Sequence, residues 1–150
     1  MMTFTSKLQL GVIRDVLDGK TAKHFGFGEK TAISTDGYVA WIFDPEELVF
    51  DLGTDRCVEL DQKHGDRYFD MYGKARPLNR TREFKFIGSY LVERLHCDCE
   101  NPFDVFVNKK YLEKFPDCTF TGVSPLDPVF ASLPIYGAVG MIMPVRDRKE

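Results

Sequence analysis

The sequence has no long hydrophobic run. Its apolar stretches are shorter than the about 20 residues that a helix needs to cross a bilayer. Residues 1–10 contain no apolar segment of the kind that secretory signals carry. We therefore expect a cytoplasmic protein that has no membrane partner.

Cysteine is scarce, with four residues in a chain of 150. Cys57, Cys97, Cys99 and Cys118 are expected to be free thiols, because disulfides are rare in a reducing compartment. The string His96–Cys99 contains metal-binding residue types, but zinc sites separate their cysteines by about two to four residues and need a second ligand pair. We therefore predict no metal site and no cofactor.

Catalytic and nucleotide-binding motifs are absent. The glycine-rich segment His24–Thr31 departs from a phosphate-binding loop, because Glu29 separates Gly28 from Lys30 and a hairpin is predicted to follow it. We predict a loop or bulge at this segment. The protein is expected to be a non-enzyme without catalytic residues. The alternative is a small metal-dependent enzyme that uses His96, Cys97 and Cys99.

The chain also lacks an excess of positive charge. It has 20 Lys and Arg against 23 Asp and Glu, and its formal net charge is −3. This balance excludes a uniformly basic nucleic-acid binder. The charges are unevenly distributed, however: residues 36–61 hold eight acidic side chains and one basic, whereas residues 74–85 hold five basic and one acidic. A directional positive surface is therefore compatible with the composition.

Two amphipathic helices are predicted from the spacing of apolar residues. The first covers residues 6–18 and begins with a Ser-x-x-Gln capping box. The second covers residues 109–115, with Asn108 as its N-cap and Pro116 at its end. Both polar faces are basic, through Lys7, Arg14, Lys109, Lys110 and Lys114. These cations are either ordinary solvated charge or a binding surface for phosphate.

The other segments predict a sheet. Strands are predicted at 30–35, 38–43, 48–52, 56–60, 83–87, 90–97, 118–123, 128–131 and 138–143. Residues 61–81 are polar and are predicted to form a loop. The order of a helix followed by strands, occurring twice, predicts one α+β domain over residues 1–150. Its halves would lie at about 1–60 and 84–146, with a polar insertion at about 61–83.

The C-terminal part of the sequence resembles a known family. Residues 106–115 lead into a strand, residues 124–130 follow, and residues 140–146 (GMIMPVR) end the pattern. This succession is similar to the last domain of the bacterial DNA polymerase III β sliding clamps. In that family a helix, a strand, a Ser-Pro-Val strand and a terminal Met-Pro-Val-Arg strand occur in this order. Residues 2–18 and 31–37 resemble the start of a clamp domain more weakly.

The resemblance implies a DNA-clamp-like domain of two β-α-β-β-β halves, with the helices on one face of the sheets. Clamp helices face duplex DNA, so Lys7, Arg14, Lys109, Lys110 and Lys114 would contact phosphates without reading base sequence. The family also has a groove for peptide motifs of replication-type proteins. The positions that correspond to its lining are Pro128, Val129, Met141, Met143, Pro144 and Val145. For Met141 and Met143, packing in the core is the alternative.

Two functions follow from the resemblance as hypotheses. The first is a non-enzymatic, DNA-associated clamp-like protein, of the kind a phage or mobile element carries, that tracks duplex DNA or recruits replication-type partners. The second is a clamp-fold module for protein interaction or assembly that does not encircle DNA. Clamp chains have three such domains and close a ring of six. A single-domain chain would therefore need to form a homo-oligomer to close one.

Overall fold

The computed structural model describes residues 6–18, 22–34, 36–44, 46, 57–60 and 62–146. Three helices and ten strands lie in these ranges. In chain order they are α1 (Ser6–Asp18), β1 (Ala22–Phe27), β2 (Lys30–Ser34), β3 (Val39–Phe43), β4 (Cys57–Glu59), α2 (Gln62–Lys74), β5 (Arg76–Ile87), β6 (Tyr90–Cys97), β7 (Phe103–Asn108), α3 (Lys109–Leu112), β8 (Thr119–Gly122), β9 (Val129–Leu133) and β10 (Gly137–Ile142).

The ten strands form one sheet in the order β4-β1-β2-β3-β10-β9-β8-β5-β6-β7. Neighbours are antiparallel except β1 and β4, which are parallel. The order contains two similar units, because α1 is followed by the meander β1–β3 and α3 by the meander β8–β10. Their last strands, β3 and β10, pair at the centre, with Trp41 opposite Gly140. The architecture is α+β, and the two units meet at this central seam of β3 and β10.

Strand β5 connects the two parts of the sheet. Its first three residues pair with β8, and its residues from Asn79 onward pair with β6. The pairing shifts between Arg80 and Phe84, and Arg82 has a φ of 60°. The buried Glu93 carboxylate accepts hydrogen bonds from the Arg80 guanidinium at 2.7 and 3.2 Å and from the Arg82 backbone N–H at 3.3 Å. One buried carboxylate of β6 therefore holds the irregular part of β5.

The segment after β10 reaches the far end of the strand order. The Met143 N–H donates to the Tyr38 carbonyl and the Val145 N–H donates to the Phe106 carbonyl in β7, both at 2.8 Å. Because β10 is central in the order and β7 is last, the sheet has to curl for this contact to form. The curled sheet brings β7, the β2–β3 turn and the end of β10 together.

Two apolar cores lie on opposite faces of the sheet. The main core contains Leu8 of α1, Leu112 of α3 and alternate strand residues such as Trp41. The second core contains the intervening strand residues, such as Ile42, and α2 covers it with Tyr68, Met71 and Tyr72. The expectation that the helices share one face is therefore wrong for α2. The aromatic residues of this helix pack against the face opposite α1 and α3.

Several predicted elements are confirmed. Helix α1 has its predicted bounds, β2 and β3 form the predicted hairpin, and β6 occupies residues 90–97 as predicted. The Asn108 side-chain oxygen accepts the Lys110 backbone N–H at 3.0 Å, so the predicted N-cap of α3 is also confirmed. Helix α3 is shorter than predicted, since it ends at Leu112 and the chain continues in turns.

Two segments predicted as loops are regular structure instead. Most of the predicted loop 61–81 forms α2 and the first half of β5, and most of the glycine-rich segment His24–Thr31 lies in β1 and β2. Strand β7 was missed altogether. In α2, Gly65, Tyr68 and Tyr72 repeat at helical spacing on the face toward the sheet. The predicted strand 48–52 and the weak clamp resemblance of residues 2–5 lie outside the described residues.

Candidate functional site

Helix α1 and the turn that contains α3 lie side by side over the main core and enclose a cleft of about 460 Å³, which we call the helical cleft. Trp41 forms part of its lining, and a Cβ atom at Gly11 would lie 2.4 Å from the indole ring. Glycine at this position therefore lets α1 pass directly over the tryptophan. Four of the five predicted cations line the cleft, namely Lys7, Arg14, Lys110 and Lys114.

Asp15 holds the two sides of the helical cleft together. Its carboxylate accepts the Trp41 indole N–H at 2.7 Å and the Lys114 ammonium at 2.7 and 2.9 Å. The sequence pattern did not distinguish this residue from other acids on the polar face of a helix. Because Lys114 is bound to Asp15, most of its charge is neutralised within the protein.

The other basic residues differ in their availability. Lys109 does not line the cleft and forms an ion pair with Glu113, one helical turn further along. Lys7, Arg14 and Lys110 are exposed and form no ion pair with any side chain that the structure describes. Three cations of the helical cleft are therefore available to an external anion.

The second basic stretch, residues 74–85, does not extend this surface. Arg80 is bound to Glu93, and none of the basic side chains of this stretch lines the helical cleft. In the acidic stretch 36–61, residues 45, 47–56 and 61 lie outside the described residues. The positive charge of the helical cleft thus comes from α1 and from the turn that contains α3.

A second, larger depression of about 850 Å³ lies beyond the end of β10. It is lined by Met143, Pro144 and Val145 and by aromatic side chains from the β2–β3 turn, β5, β6 and α3, namely Tyr38, Phe86, Tyr90 and Tyr111. We call it the aromatic groove. Phe86 is 71% exposed, Tyr38 58% and Tyr90 52%. These rings present apolar surface to the solvent.

The charge around the aromatic groove is positive. Lys85 and Arg146 line it, whereas no acidic side chain in the described part of the chain does. The nearby Asp36 carboxylate accepts the backbone N–H groups of Tyr38 and Val39 at 2.8 and 3.0 Å. Burial, and next the Asp36 charge, raise the pKa of Tyr111 above its usual value. The groove therefore suits an apolar ligand that carries negative charge at its margin.

The structure separates the six residues that the clamp resemblance indicates for a peptide groove. Met143, Pro144 and Val145 line the aromatic groove, but Pro128, Val129 and Met141 are buried. Met141 packs in the second core, on the face that α2 covers, so core packing is the correct reading for this residue. Pro128, Val129 and Met141 therefore leave the candidate site.

The aromatic residues of the groove were missed in the sequence. Tyr38 follows the predicted Asp36-Gly37 hairpin turn, and Phe86 and Tyr90 lie beside the break between the predicted strands 83–87 and 90–97. The position of aromatic residues beside predicted turns is the sequence signal that could have indicated them.

The string His96–Cys99 does not form a metal centre. His96 Nδ1 lies 2.7 Å from Asp104 Oδ1, whereas the adjacent Cys97 is buried in the main core on the other face of β6. Burial, and next the Cys99 thiol, raise the pKa of Cys97 to about 11. In the part of the chain that the structure describes, no three His, Cys, Asp or Glu side chains are placed to hold a metal ion. Cys97, Cys99 and Cys118 are free thiols, as predicted.

Asp104 is expected to make the stability of the protein depend on pH in the acidic range. Burial alone would raise its pKa, but the hydrogen bonds of His96 and Arg94 outweigh burial and lower the pKa below its ordinary value. A lowered carboxyl pKa contributes stability above the unfolded-state value of about 3.9 and loses it as the pH falls through the folded-state value. Urea unfolding between about pH 5 and 3 should therefore show a smaller loss of stability in Asp104→Asn than in the wild type. Equal losses would contradict this assignment.

Comparison with known proteins gives no match, whether with protein-family models, curated proteins or solved structures. Among the described helices, none is both long and apolar enough to cross a membrane. The geometry of the helical cleft and the aromatic groove is therefore the basis for a functional assignment.

Proposed function

We propose that the protein is a non-enzymatic, clamp-like protein that associates with duplex DNA through the helical cleft. The observation that carries the proposal is the convergence of Lys7, Arg14 and Lys110 on one surface of a chain that is acidic overall. Unpaired cations at such a surface bind phosphates and release the counterions of the DNA, without reading its base sequence.

The repeated order of the elements supports the same proposal. A helix followed by a three-stranded meander occurs twice, and the two helices lie next to each other over the main core. The resemblance to sliding clamps implies two such units with their basic helices directed to DNA. The terminal segment Met143–Arg146, which carries part of the resemblance, lies on a separate surface and leaves the helical cleft open.

The test is the triple variant Lys7→Glu, Arg14→Glu and Lys110→Glu. We expect its affinity for a fluorescently labelled duplex, measured by anisotropy, to fall by more than about tenfold at low salt, because each reversal replaces an attraction to phosphate with a repulsion. The slope of log affinity against log salt should become shallower by about 3. Lys114 is left unchanged, since its reversal would also break its bond to Asp15.

A matched control is available on the other face of the sheet. The variant Lys63→Glu, Arg67→Glu and Lys74→Glu changes the net charge equally, but its three exposed positions lie on α2. It should keep most of the wild-type affinity and salt slope. If both triple variants bind DNA equally poorly, the change in net charge explains the lost affinity, and the helical cleft is not the binding site. If the wild type does not bind duplex DNA at about 50 mM salt, the proposal is wrong.

A second candidate function is a protein-interaction module that uses the aromatic groove. The observation that favours it is the cluster of exposed rings, which two cations accompany in the lining that the structure describes. Aromatic side chains and arginine are the residue types that most often dominate binding energy at protein interfaces. This function does not depend on whether the protein binds DNA.

The aromatic groove is tested by selecting, from a random peptide library, the peptides that bind the folded protein. We expect apolar peptides flanked by acidic residues, and we expect the variant Phe86→Glu with Tyr90→Glu to lose them, because both rings are exposed and line the groove. The control is Leu126→Asp, which changes an exposed apolar residue outside the groove. Selected peptides that bind all three proteins equally would contradict the assignment.

A further inference from the structure

The turn between β9 and β10 displays an isoleucine in a strained conformation. Ile135 is 92% exposed and has a φ of 70°. The Tyr136 N–H donates to the Pro134 carbonyl at 2.7 Å, so Ile135 is the centre of a γ-turn. A positive φ at the centre of a γ-turn is rare and strained, and it is least favourable for β-branched residues such as isoleucine. Glycine or asparagine would suit this position better if the turn only had to reverse the chain.

Hydrogen bonds from Lys30 in β2 and from Asp44, which follows β3, anchor this turn. The Lys30 ammonium donates to the Tyr136 and Ala138 carbonyls at 2.6 and 3.1 Å and lies 3.8 Å from the centre of the Tyr136 ring. The Asp44 backbone N–H donates to the Tyr136 hydroxyl at 2.9 Å. The side chain of Ile135 is thus presented on a fixed support, and a contact made by an ordered group costs less conformational entropy on binding.

The exposed turn and the aromatic groove lie at opposite ends of β10. The turn precedes Gly137 and the groove begins at Met143, so the strand places them about 20 Å apart at about 3.3 Å per residue. A projection at one end of a molecule and a depression at the other can join copies head to tail.

The charges at the two ends are complementary. Among the residues that the structure describes, Glu29, Asp44 and Glu46 lie at the end of the sheet that carries the turn. Lys30 lies at the same end and is bound to backbone carbonyls of the turn. The aromatic groove carries Lys85 and Arg146. An exposed isoleucine at the acidic end of the sheet therefore matches the apolar groove, whose lining carries Lys85 and Arg146.

We propose that the Ile135 turn of one copy of this protein docks into the aromatic groove of a second copy. The contact is heterologous, so it produces closed rings or open filaments according to the rotation between copies. This inference rests on the groove being an interaction site, as the second candidate function states, and it does not require DNA binding.

The test uses two variants that should each be unable to assemble alone. By sedimentation velocity the wild type should associate with rising concentration, whereas Ile135→Asp and the groove variant Phe86→Glu with Tyr90→Glu should each remain monomeric. An equimolar mixture of the two should form a dimer and nothing larger, because the mixture contains only one intact pair of turn and groove. Leu126→Asp should associate like the wild type.

Further variants separate the causes of each result. Ile135→Gly should also remain monomeric while its melting midpoint rises by about 2–4 °C, because glycine relieves the strain. A wild type that stays monomeric up to about 1 mM, or a mixture that forms no dimer, would overturn the inference. If the groove variant still assembles but Ile135→Asp does not, the turn binds a surface other than the aromatic groove, and the proposed docking is wrong. The peptide selection would then still test whether the groove binds a different partner.

Discussion

Replacing Arg80 with alanine is expected to lower the free energy of unfolding by about 3 kcal/mol, at the lower end of the range for breaking a buried ion pair. Glu93 is fully buried, and two of its hydrogen bonds come from the Arg80 guanidinium. Without Arg80 the carboxylate would keep only the Arg82 N–H, at 3.3 Å. The bend that takes β5 from β8 to β6 should therefore lose its support. Urea unfolding followed by Trp41 fluorescence measures the change.

The double variant Arg80→Met with Glu93→Met distinguishes an uncompensated charge from a lost attraction. If Arg80→Ala destabilises the protein because it leaves the buried Glu93 carboxylate without a partner, the double variant should regain most of the lost free energy of unfolding. Apolar replacement of a whole buried ion pair is often neutral. Arg94→Ala is the control, since Arg94 pairs with the more exposed Glu83 and Asp104 on the outer face of the same strands. Its loss should stay below about 1 kcal/mol. An equal loss in Arg80→Ala and Arg94→Ala would refute the role given to burial.

Replacing Gly65 with alanine should destabilise the protein by about 2–3 kcal/mol, although alanine is the better helix former by about 1 kcal/mol. A Cβ atom at this position would lie 1.7 Å from the Gly26 carbonyl oxygen in β1. The obstacle is backbone, so α2 itself would have to move away from the sheet. The movement would loosen the contact of Tyr68 with Phe25 and that of Phe69 with Phe27.

Gly73 provides the matched control in the same helix. Nothing lies within 4 Å of a Cβ atom there, so Gly73→Ala should stabilise the protein by about 0.5–1 kcal/mol. Far-UV circular dichroism reports the helix, and fluorescence of the single tryptophan reports the main core on the other face of the sheet. Stabilisation by both alanine substitutions would show that α2 does not approach β1 this closely.

Helices α1 and α2 show which features of the fold can be predicted from the sequence. Helix α1 was predicted to the residue, because Leu8 and Val12 belong to an apolar face of helical period. Helix α2 escapes sequence-based prediction, because glycines within a polar stretch are typical of turns. Gly65 is in fact part of the buried face, where the close approach of β1 leaves no room for a side chain. That requirement depends on a strand distant in the sequence and has no local signature.

The candidate site follows the same rule. The sequence predicts the basic faces of α1 and of the segment that contains α3. It does not predict the neutralisation of Lys114 by Asp15, because those residues are 99 positions apart. Likewise Met141 and Met143 look equivalent in a strand, yet the first is buried under α2 and the second lines a surface groove beyond the end of β10. Side-chain pairing and the point where a strand leaves the sheet are properties of the assembled fold.

The central seam also has a consequence for synthesis of the chain. The ribosome makes β10 about a hundred residues after its neighbour β3, which takes about 5–20 s at ordinary translation rates. During that interval one edge of β3 has unpaired N–H and C=O groups, and all five of its residues, Val39–Phe43, are ones that the finished protein buries. An open apolar edge pairs readily with other chains. Nascent chains that stall before β10 should therefore aggregate or require a chaperone, whereas completed chains should not.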